Sequence, residues 1–287
     1  MFGDDAHALL QNVDAHIQLD AADARERLAA EAGVDRGVGG ASRDNARMHH
    51  WSTAVPLAAL ALLAAGAQLS GGAVLPLLCA LTTASAVLPT ALVISYRNDE
   101  GAPRGDGVAK FGIDEWEDLE AAIAYARSRG ASDVILGAGS MGGAITLSLF
   151  EHGSAQAQAV RGIVLDSPAL AIGRQSRMST DAMGVPGVIA ELGFGLAAWR
   201  FGLDWEAMDY LSAVEHVTVP VLVLHGDRDA LISVEANRPV YEALTGRGGT
   251  TVEIVPGAHH LGIWNRDRAG FERHVSQFLA RVAGAGP

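Results

Sequence analysis

Ser140 lies where an apolar strand pattern changes into a helix pattern. The run 134–136 is short, apolar and followed by glycine, which is typical of a strand covered on both faces. The apolar segment after Ser140 has helical length, and Gly153 can close it. Ala138 and Gly142 are small enough to let strand and helix approach closely. Such a turn holds a serine oxygen clear of a sheet edge, where it can act as a nucleophile. The other interpretation is a glycine-rich turn with a capping serine.

A nucleophilic serine needs a base and an acid that orients the base. Three aspartates that follow strand patterns are candidates for the acid. Asp166 comes directly after the run 162–165, and both Asp227 and Asp229 follow the run 221–224. In the alternative interpretation, a carboxylate at such a position stabilises its own turn through a hydrogen bond to the backbone.

The candidates for the base are two adjacent histidines, His259 and His260. They follow the strand pattern 250–255 and the turn-forming pair Pro256-Gly257. Only one of two neighbouring rings can easily point at the serine. Because serine, aspartate and histidine all stand at ends of predicted strands, the three groups are expected at one edge of a sheet.

From residue 91 onward, strand patterns alternate with helix patterns. This alternation predicts an α/β fold in which a mostly parallel sheet is covered by helices on both faces. It lapses between residues 168 and 217, where a helical insertion carries several aromatic residues. Strands are predicted at 91–96, 134–136, 162–165, 219–225 and 250–255, and helices between 114 and 130, after Ser140, at 234–244 and over 271–282.

The first 88 residues differ from the rest, and we predict a separate helical and apolar segment at 1–88 before a domain at 89–287. Amphipathic helices are predicted at 6–17 and 20–31. Residues 54–94 contain no charged side chain. We interpret this run as a buried helix followed by a second helix that leads into a strand. The alternative is a helical hairpin in lipid, which would give membrane contact through 54–88.

Composition excludes some function classes. With 21 basic and 33 acidic residues, the formal net charge is -12, which argues against nucleic acid as a partner. The single cysteine, Cys79, permits no internal disulfide. No metal or other cofactor is expected, and no secretory signal is predicted at the first residues. We expect a cytoplasmic protein, with membrane association as the alternative; the sequence carries no signal of oligomeric state.

Five short motifs, together with the chain order serine, aspartate, histidine, resemble those of α/β-hydrolases of the serine esterase and dienelactone-hydrolase type. The resemblance covers about 88–283. The motifs are Ser95-Tyr-Arg-Asn98, Gly139-Ser-Met-Gly-Gly143, Leu165-Asp-Ser-Pro168, His225-Gly-x-x-Asp229 and Pro256-Gly-Ala-x-His260. The resemblance implies the α/β-hydrolase fold, with a helical lid at 169–216.

The resemblance also implies roles for individual residues. Ser140 becomes the nucleophile at a nucleophile elbow, and Asp229, the last residue of its motif, becomes the acid. The family often has glycine before its catalytic histidine; His259 stands at that position here, so the base is expected to be His260. The backbone amide of Met141 is expected in the oxyanion hole.

One family feature is missing, because no His-Gly pair occurs before the first helix. The nearest substitute for the second oxyanion-hole amide is Gly39, within the glycine-rich stretch 37–42. In the insertion, Phe194 and Trp199 are predicted to line an acyl pocket, or else only to pack the insertion against the body.

The predicted function is therefore serine-dependent hydrolysis of a small-molecule carboxylic ester through an acyl-enzyme. The alternatives are a non-catalytic binding protein of the same fold, and a peptidase, thioesterase or carbon-carbon bond hydrolase with the same triad.

Overall fold

The computed structural model of the protein describes residues 18–20, 60–65, 91–99, 102 and 105–284. Within them, seven strands form one sheet in which every neighbouring pair is parallel. The strands are β1 (Gln18–Asp20), β2 (Leu60–Ala65), β3 (Ala91–Ser95), β4 (Val134–Gly139), β5 (Val160–Asp166), β6 (Val221–Gly226) and β7 (Thr250–Val255). Their order across the sheet is β1-β3-β2-β4-β5-β6-β7.

The helices follow the strands in the alternation that the sequence predicts. They are α1 (Trp116–Ser128), α2 (Met141–Glu151), α3 (Ile172–Ala182), α4 (Gly187–Phe201), α5 (Val234–Gly246), α6 (Ile263–Arg266) and α7 (Arg268–Gly284). Two short 3-10 helices lie at Ala155–Ala159 and Ser212–His216.

Both faces of the sheet are covered by packed side chains. Successive residues of a strand point to opposite faces; accordingly, Val134 and Leu136 belong to one core, and Ile135, between them, belongs to the other. The first core is the larger and includes residues of α1, α2 and α5. The second core packs the other face against α7, through Phe271 and Phe278 among others. The sheet that carries the strand ends is therefore held rigidly from both sides.

The first part of the chain contains two strands that the sequence did not predict. β2 lies between β3 and β4, pairing with both, and β1 pairs with β3. Both helical interpretations of the apolar run are thus wrong at residues 60–65. Asp20, the first residue of the helix predicted at 20–31, belongs to a strand. A short apolar run without charge is equally compatible with a buried helix and with a central parallel strand, so periodicity could not distinguish them. The remainder of 1–90 lies outside the described residues.

The insertion between β5 and β6 contains α3 and α4, as its helical pattern predicts. Its base is buried around Ile172 and Met208, next to Ile232 of the body. By contrast, no residue of α4 is buried. Large apolar side chains of α4 face solvent: Val188, Ile189, Leu192, Leu196 and Trp199. Within the described part of the chain, no helix has both the length and the apolar character that crossing a membrane requires.

Candidate active site

Ser140 sits at a strained turn between β4 and α2. Its backbone has φ 47° and ψ -119°, a positive φ that residues with a side chain rarely adopt. The turn is fixed by hydrogen bonds on both sides: the Ser140 amide donates to the carbonyl of Asp166 (3.1 Å), and the Ala169 amide donates to the carbonyl of Ser140 (2.9 Å). The sheet and the segment after β5 therefore hold the serine at the carboxyl edge of β4.

Close packing explains why this turn is rich in small residues. Helix α2 is buried along its length from Met141 to Phe150, and a side chain at Gly143 would place its Cβ 2.5 Å from Pro168. Ala138, directly before the turn, is completely buried. The close approach of strand and helix that the sequence predicts is thus present.

His260 lies between Ser140 and Asp229. Its Nε2 is 3.0 Å from the Oγ of Ser140, and its Nδ1 is 2.7 Å from the Oδ2 of Asp229. Because a carboxylate only accepts hydrogen bonds, the proton of the neutral ring belongs on Nδ1, which leaves Nε2 to accept from the serine hydroxyl. The structure therefore brings together all three residues that the sequence resemblance selected, in an unbroken hydrogen-bonded chain.

Asp229 is a buried carboxylate with a full set of donors. Oδ1 accepts from the amides of Leu231 (3.0 Å) and Ile232 (2.8 Å). Oδ2 accepts from His260 and lies 3.2 Å from Nε2 of His225. Burial alone would raise the pKa of Asp229, but the hydrogen bonds from His225 and His260 outweigh it and hold the pKa well below its ordinary range. Asp229 is thus an anion placed to orient an imidazole.

The sheet register explains how distant parts of the chain meet. Ala65, Gly139, Asp166 and Leu224 pair in a row across four neighbouring strands, close to the carboxyl ends. The loops after β4, β6 and β7 leave from this edge and carry Ser140, Asp229 and His260 respectively. An α/β protein with a parallel sheet places its ligands at this edge.

Comparison with known proteins gives similarity at the level of structure. No protein-family model matches the chain, and no curated protein matches it. The esterase Pf2001 of Pyrococcus furiosus aligns with a TM-score of 0.58 and 15% identity over 78% of this chain and 84% of its own. Est1E from Butyrivibrio proteoclasticus aligns with a TM-score of 0.56 and 16% identity over 79% of this chain and 89% of its own. Esterase 2 of Thermogutta terrifontis, phosphoramylated by tabun, aligns with a TM-score of 0.53 and 18% identity, over 80% and 85%. The chain has the α/β-hydrolase fold.

Asp227 and His259, the alternative candidates for the acid and the base, make contacts within the loops. Asp227 accepts from the amide of Gly257 (2.6 Å), which ties the loop after β6 to the loop after β7. His259 is exposed, and its Nδ1 is 3.0 Å from the carbonyl of Arg228. Both therefore fix the relative position of the two loops that carry Asp229 and His260.

Asp166, the third candidate acid, is buried beside the site. It accepts a hydrogen bond from the Oγ of Ser167 (3.0 Å), and that same Oγ accepts from the amide of Leu261 (3.1 Å). Burial raises the pKa of Asp166 to about 6. Ser167 and Leu261 both have a positive φ. The hydrogen bond between them therefore connects two strained residues, and Leu261 directly follows His260. Sequence reasoning missed Ser167, although the motif Asp-Ser-Pro contained it.

The remaining predicted site residues are only partly placed. Met141 is the first residue of α2, directly after the serine, while Gly39 lies outside the described residues. Phe194 packs inside the insertion, edge-on to the ring of Trp205 with centroids 5.1 Å apart. Trp199 is 80% exposed. Within the described residues, no group of three or more His, Cys, Asp or Glu could hold a metal ion.

Proposed function

We propose that the protein is a serine hydrolase that cleaves carboxylic esters through an acyl-enzyme. The observation that carries the proposal is the chain from Ser140 Oγ through His260 to Asp229, with contacts of 3.0 Å and 2.7 Å. It starts from a serine held at positive φ on a strand-to-helix turn, which is the geometry of a nucleophile elbow. The similarity to solved esterases supports the same chemistry at the level of the fold.

In the first half of the proposed reaction, His260 removes the hydroxyl proton as Ser140 attacks the acyl carbon. Asp229 stabilises the imidazolium that forms and keeps the ring in its reactive tautomer. The tetrahedral intermediate collapses when His260 gives its proton to the leaving alcohol. The products of this half are the free alcohol and an acyl group on Ser140.

The second half repeats these steps with water. His260 removes a proton from a water molecule, whose oxygen attacks the acyl carbon, and then returns the proton to Ser140 as the carboxylic acid leaves. Both halves pass through a negatively charged oxygen, and we assign its stabilisation to the amide of Met141 at the start of α2. Loss of one such donor raises the barrier by about 3 to 4 kcal/mol.

A second donor was predicted at Gly39. Gly39 lies outside the described residues, and we keep its amide as the proposed second donor. Replacement by proline removes a backbone donor, so Gly39→Pro is expected to lower turnover.

We further propose that the insertion is a lid whose apolar residues contact the acyl group. The two predicted pocket residues differ in their surroundings. Phe194 packs on Trp205, whose Nε1 donates to the Phe194 carbonyl (3.0 Å), whereas Trp199 is largely exposed. Trp199→Ala should therefore change the preference across an ester chain-length series without lowering the melting temperature, while Phe194→Ala should affect both. If neither variant changed the preference, the pocket assignment would be wrong.

A fluorophosphonate probe, which reacts with activated serines, tests the catalytic proposal. We expect the wild-type protein to be labelled and Ser140→Ala not to be. Ser212→Ala is a matched control, because Ser212 is an exposed serine whose hydroxyl donates to Glu151. Its labelling should equal that of the wild type. Absence of labelling in all three proteins would favour a non-catalytic binding protein. A comparison of turnover rates on ester, thioester and peptide substrates separates the esterase, thioesterase and peptidase alternatives.

A further inference from the structure

A second histidine contacts the acid of the proposed triad. His225 is the fifth residue of β6, and its side chain is completely buried. Its Nε2 lies 2.8 Å from the carbonyl oxygen of Ile232 and 3.2 Å from Oδ2 of Asp229. Oδ2 is also the oxygen that accepts from His260. Two imidazole rings therefore converge on a single carboxylate oxygen.

The partners of the His225 ring determine its tautomer. Both groups that face Nε2 are acceptors, so Nε2 carries a proton that is shared between Ile232 and Asp229. The other nitrogen, Nδ1, lies 2.5 Å from the hydroxyl of Tyr241. A neutral ring has one donor and one acceptor, and Nδ1 must then accept the hydroxyl proton of Tyr241.

The next residue in the network fixes the direction of that hydroxyl. Asn237 donates through Nδ2 to the Tyr241 oxygen (3.2 Å) and to the carbonyl of Pro168 (2.7 Å), while its Oδ1 accepts from the Leu170 amide (3.1 Å). Because the Tyr241 oxygen already accepts from Asn237, its own proton is free for Nδ1. Protonation of Nδ1 would leave this buried hydroxyl proton without an acceptor, which is costly. The network thus favours the His225 tautomer that has its proton on Nε2.

We propose that His225 is a positioning residue that acts through Asp229. Its N–H fixes the turn from Asp229 to Ile232 and orients the Oδ2 atom toward His260. It also draws negative charge from Oδ2, which limits how strongly Asp229 stabilises a protonated His260. The proposal rests on the proposed function, and it predicts that loss of this N–H misplaces His260 and moves the acid limb of the pH profile upward.

Two amide substitutions of His225 separate this role from simple packing. In His225→Gln the side-chain nitrogen can occupy the place of Nε2 and donate to Asp229, whereas in His225→Asn the shorter amide reaches only the place of Nδ1. Both introduce a buried amide of similar polarity. We expect kcat of the Asn variant to be at least about tenfold below that of the Gln variant with similar KM, because small displacements of catalytic groups cost rate. Equal kcat values in the two folded variants would overturn the proposal.

The pH profile gives a readout that a purely structural role would not move. The titratable groups around Asp229 are His260, Asp166, His225 and Tyr241. Asp166 has a pKa of about 6 and therefore also changes charge within the pH range of the profile. Both variants retain Asp166, so the difference between their two pH profiles reports the effect of the residue at position 225. We expect the acid limb of kcat/KM in the Asn variant to lie about half a pH unit above that in the Gln variant. Coincident limbs would contradict the proposed action on Asp229.

A measurement on the wild-type protein needs neither folded variants nor activity. Nitrogen-15 NMR of protein labelled at the histidine ring nitrogens reports the tautomer of each ring. His225 is expected to carry a proton on Nε2 and to accept the Tyr241 hydroxyl proton at Nδ1. A proton on Nδ1, or a doubly protonated ring at pH 7, would overturn the proposal. Failure of the proposed function would appear separately, as absence of ester turnover and of fluorophosphonate labelling in the wild type.

Discussion

The carboxyl group of Asp166 should make the stability of the protein depend on pH in a predictable way. Asp166 is 4% exposed, and its side-chain hydrogen bond comes from the neutral hydroxyl of Ser167. Burial raises its pKa from 3.8 to about 6. Asp166→Asn removes the ionisation while keeping the shape and an acceptor oxygen for Ser167, so the comparison with wild type isolates the titration of one group.

The sign and size of the effect follow from linkage. Between pH 4 and pH 6 the folded state holds a proton on Asp166 that the unfolded state has released, so the free energy of unfolding falls as the pH rises through this window. The pKa is raised by about two units, and each unit corresponds to about 1.4 kcal/mol. The loss is thus roughly 3 kcal/mol above pH 6 and absent below pH 4.

Urea unfolding of both proteins at pH 4, 5, 6, 7 and 8 measures this difference. Relative to the wild type, Asp166→Asn should become more stable by roughly 3 kcal/mol between the two ends of the series. Asp181→Asn, at an exposed position in α3, serves as a control for loss of a carboxylate from the surface. A difference between Asp166→Asn and wild type that stayed constant from pH 4 to pH 8 would refute the reasoning.

Two further predictions concern the loop after β7. His260→Ala should reduce ester turnover by several orders of magnitude, whereas His259→Ala should cost less than about tenfold, because only His260 contacts the serine. The reverse ranking in steady-state assays, with both variants folded by circular dichroism, would exclude the proposed base. Gly226→Ala should lower the free energy of unfolding by about 1 to 3 kcal/mol or more, since its Cβ would lie 2.2 Å from the carbonyl oxygen of Ala258. A Cβ at Gly246 would have no neighbouring atom within 4 Å. Gly246→Ala should therefore leave the free energy of unfolding, measured by chemical denaturation, unchanged or slightly higher.

The site was predictable from the sequence wherever local geometry restricts the choice of residue. A serine at positive φ needs small neighbours, and the pattern around Ser140 showed them. The choice between His259 and His260, and between Asp227 and Asp229, came from the family resemblance. The structure places the chosen pair in contact and gives their neighbours bonds to the loop backbone.

Other features were hidden because they depend on contacts between distant parts of the chain. The strand Leu60–Ala65 is stabilised by pairing with β3 and β4. An uncharged apolar sequence does not show that this pairing occurs. The contact of His225 with Asp229 was also not predicted. The two residues are four apart in a motif that the sequence did reveal, but the motif alone does not tell which ring faces which carboxylate.

The polar network around the site is a closed circuit. It leaves Ser140 from its side chain and returns to the same residue at its main-chain carbonyl, through the amide of Ala169. Its members, in order, are Ser140, His260, Asp229, His225, Tyr241, Asn237 and the segment 168–170.

In mechanical terms this circuit is a closed linkage and not an open arm. Each joint of an open arm adds its own error to the position of the tip. In a closed linkage the joints share the error, because a displacement of any one member must be compatible with all the others. Both ends of the circuit are atoms of Ser140. The distance from Ser140 to His260 therefore depends on the hydrogen bond at the serine hydroxyl and, through the rest of the circuit, on the hydrogen bond at the serine carbonyl.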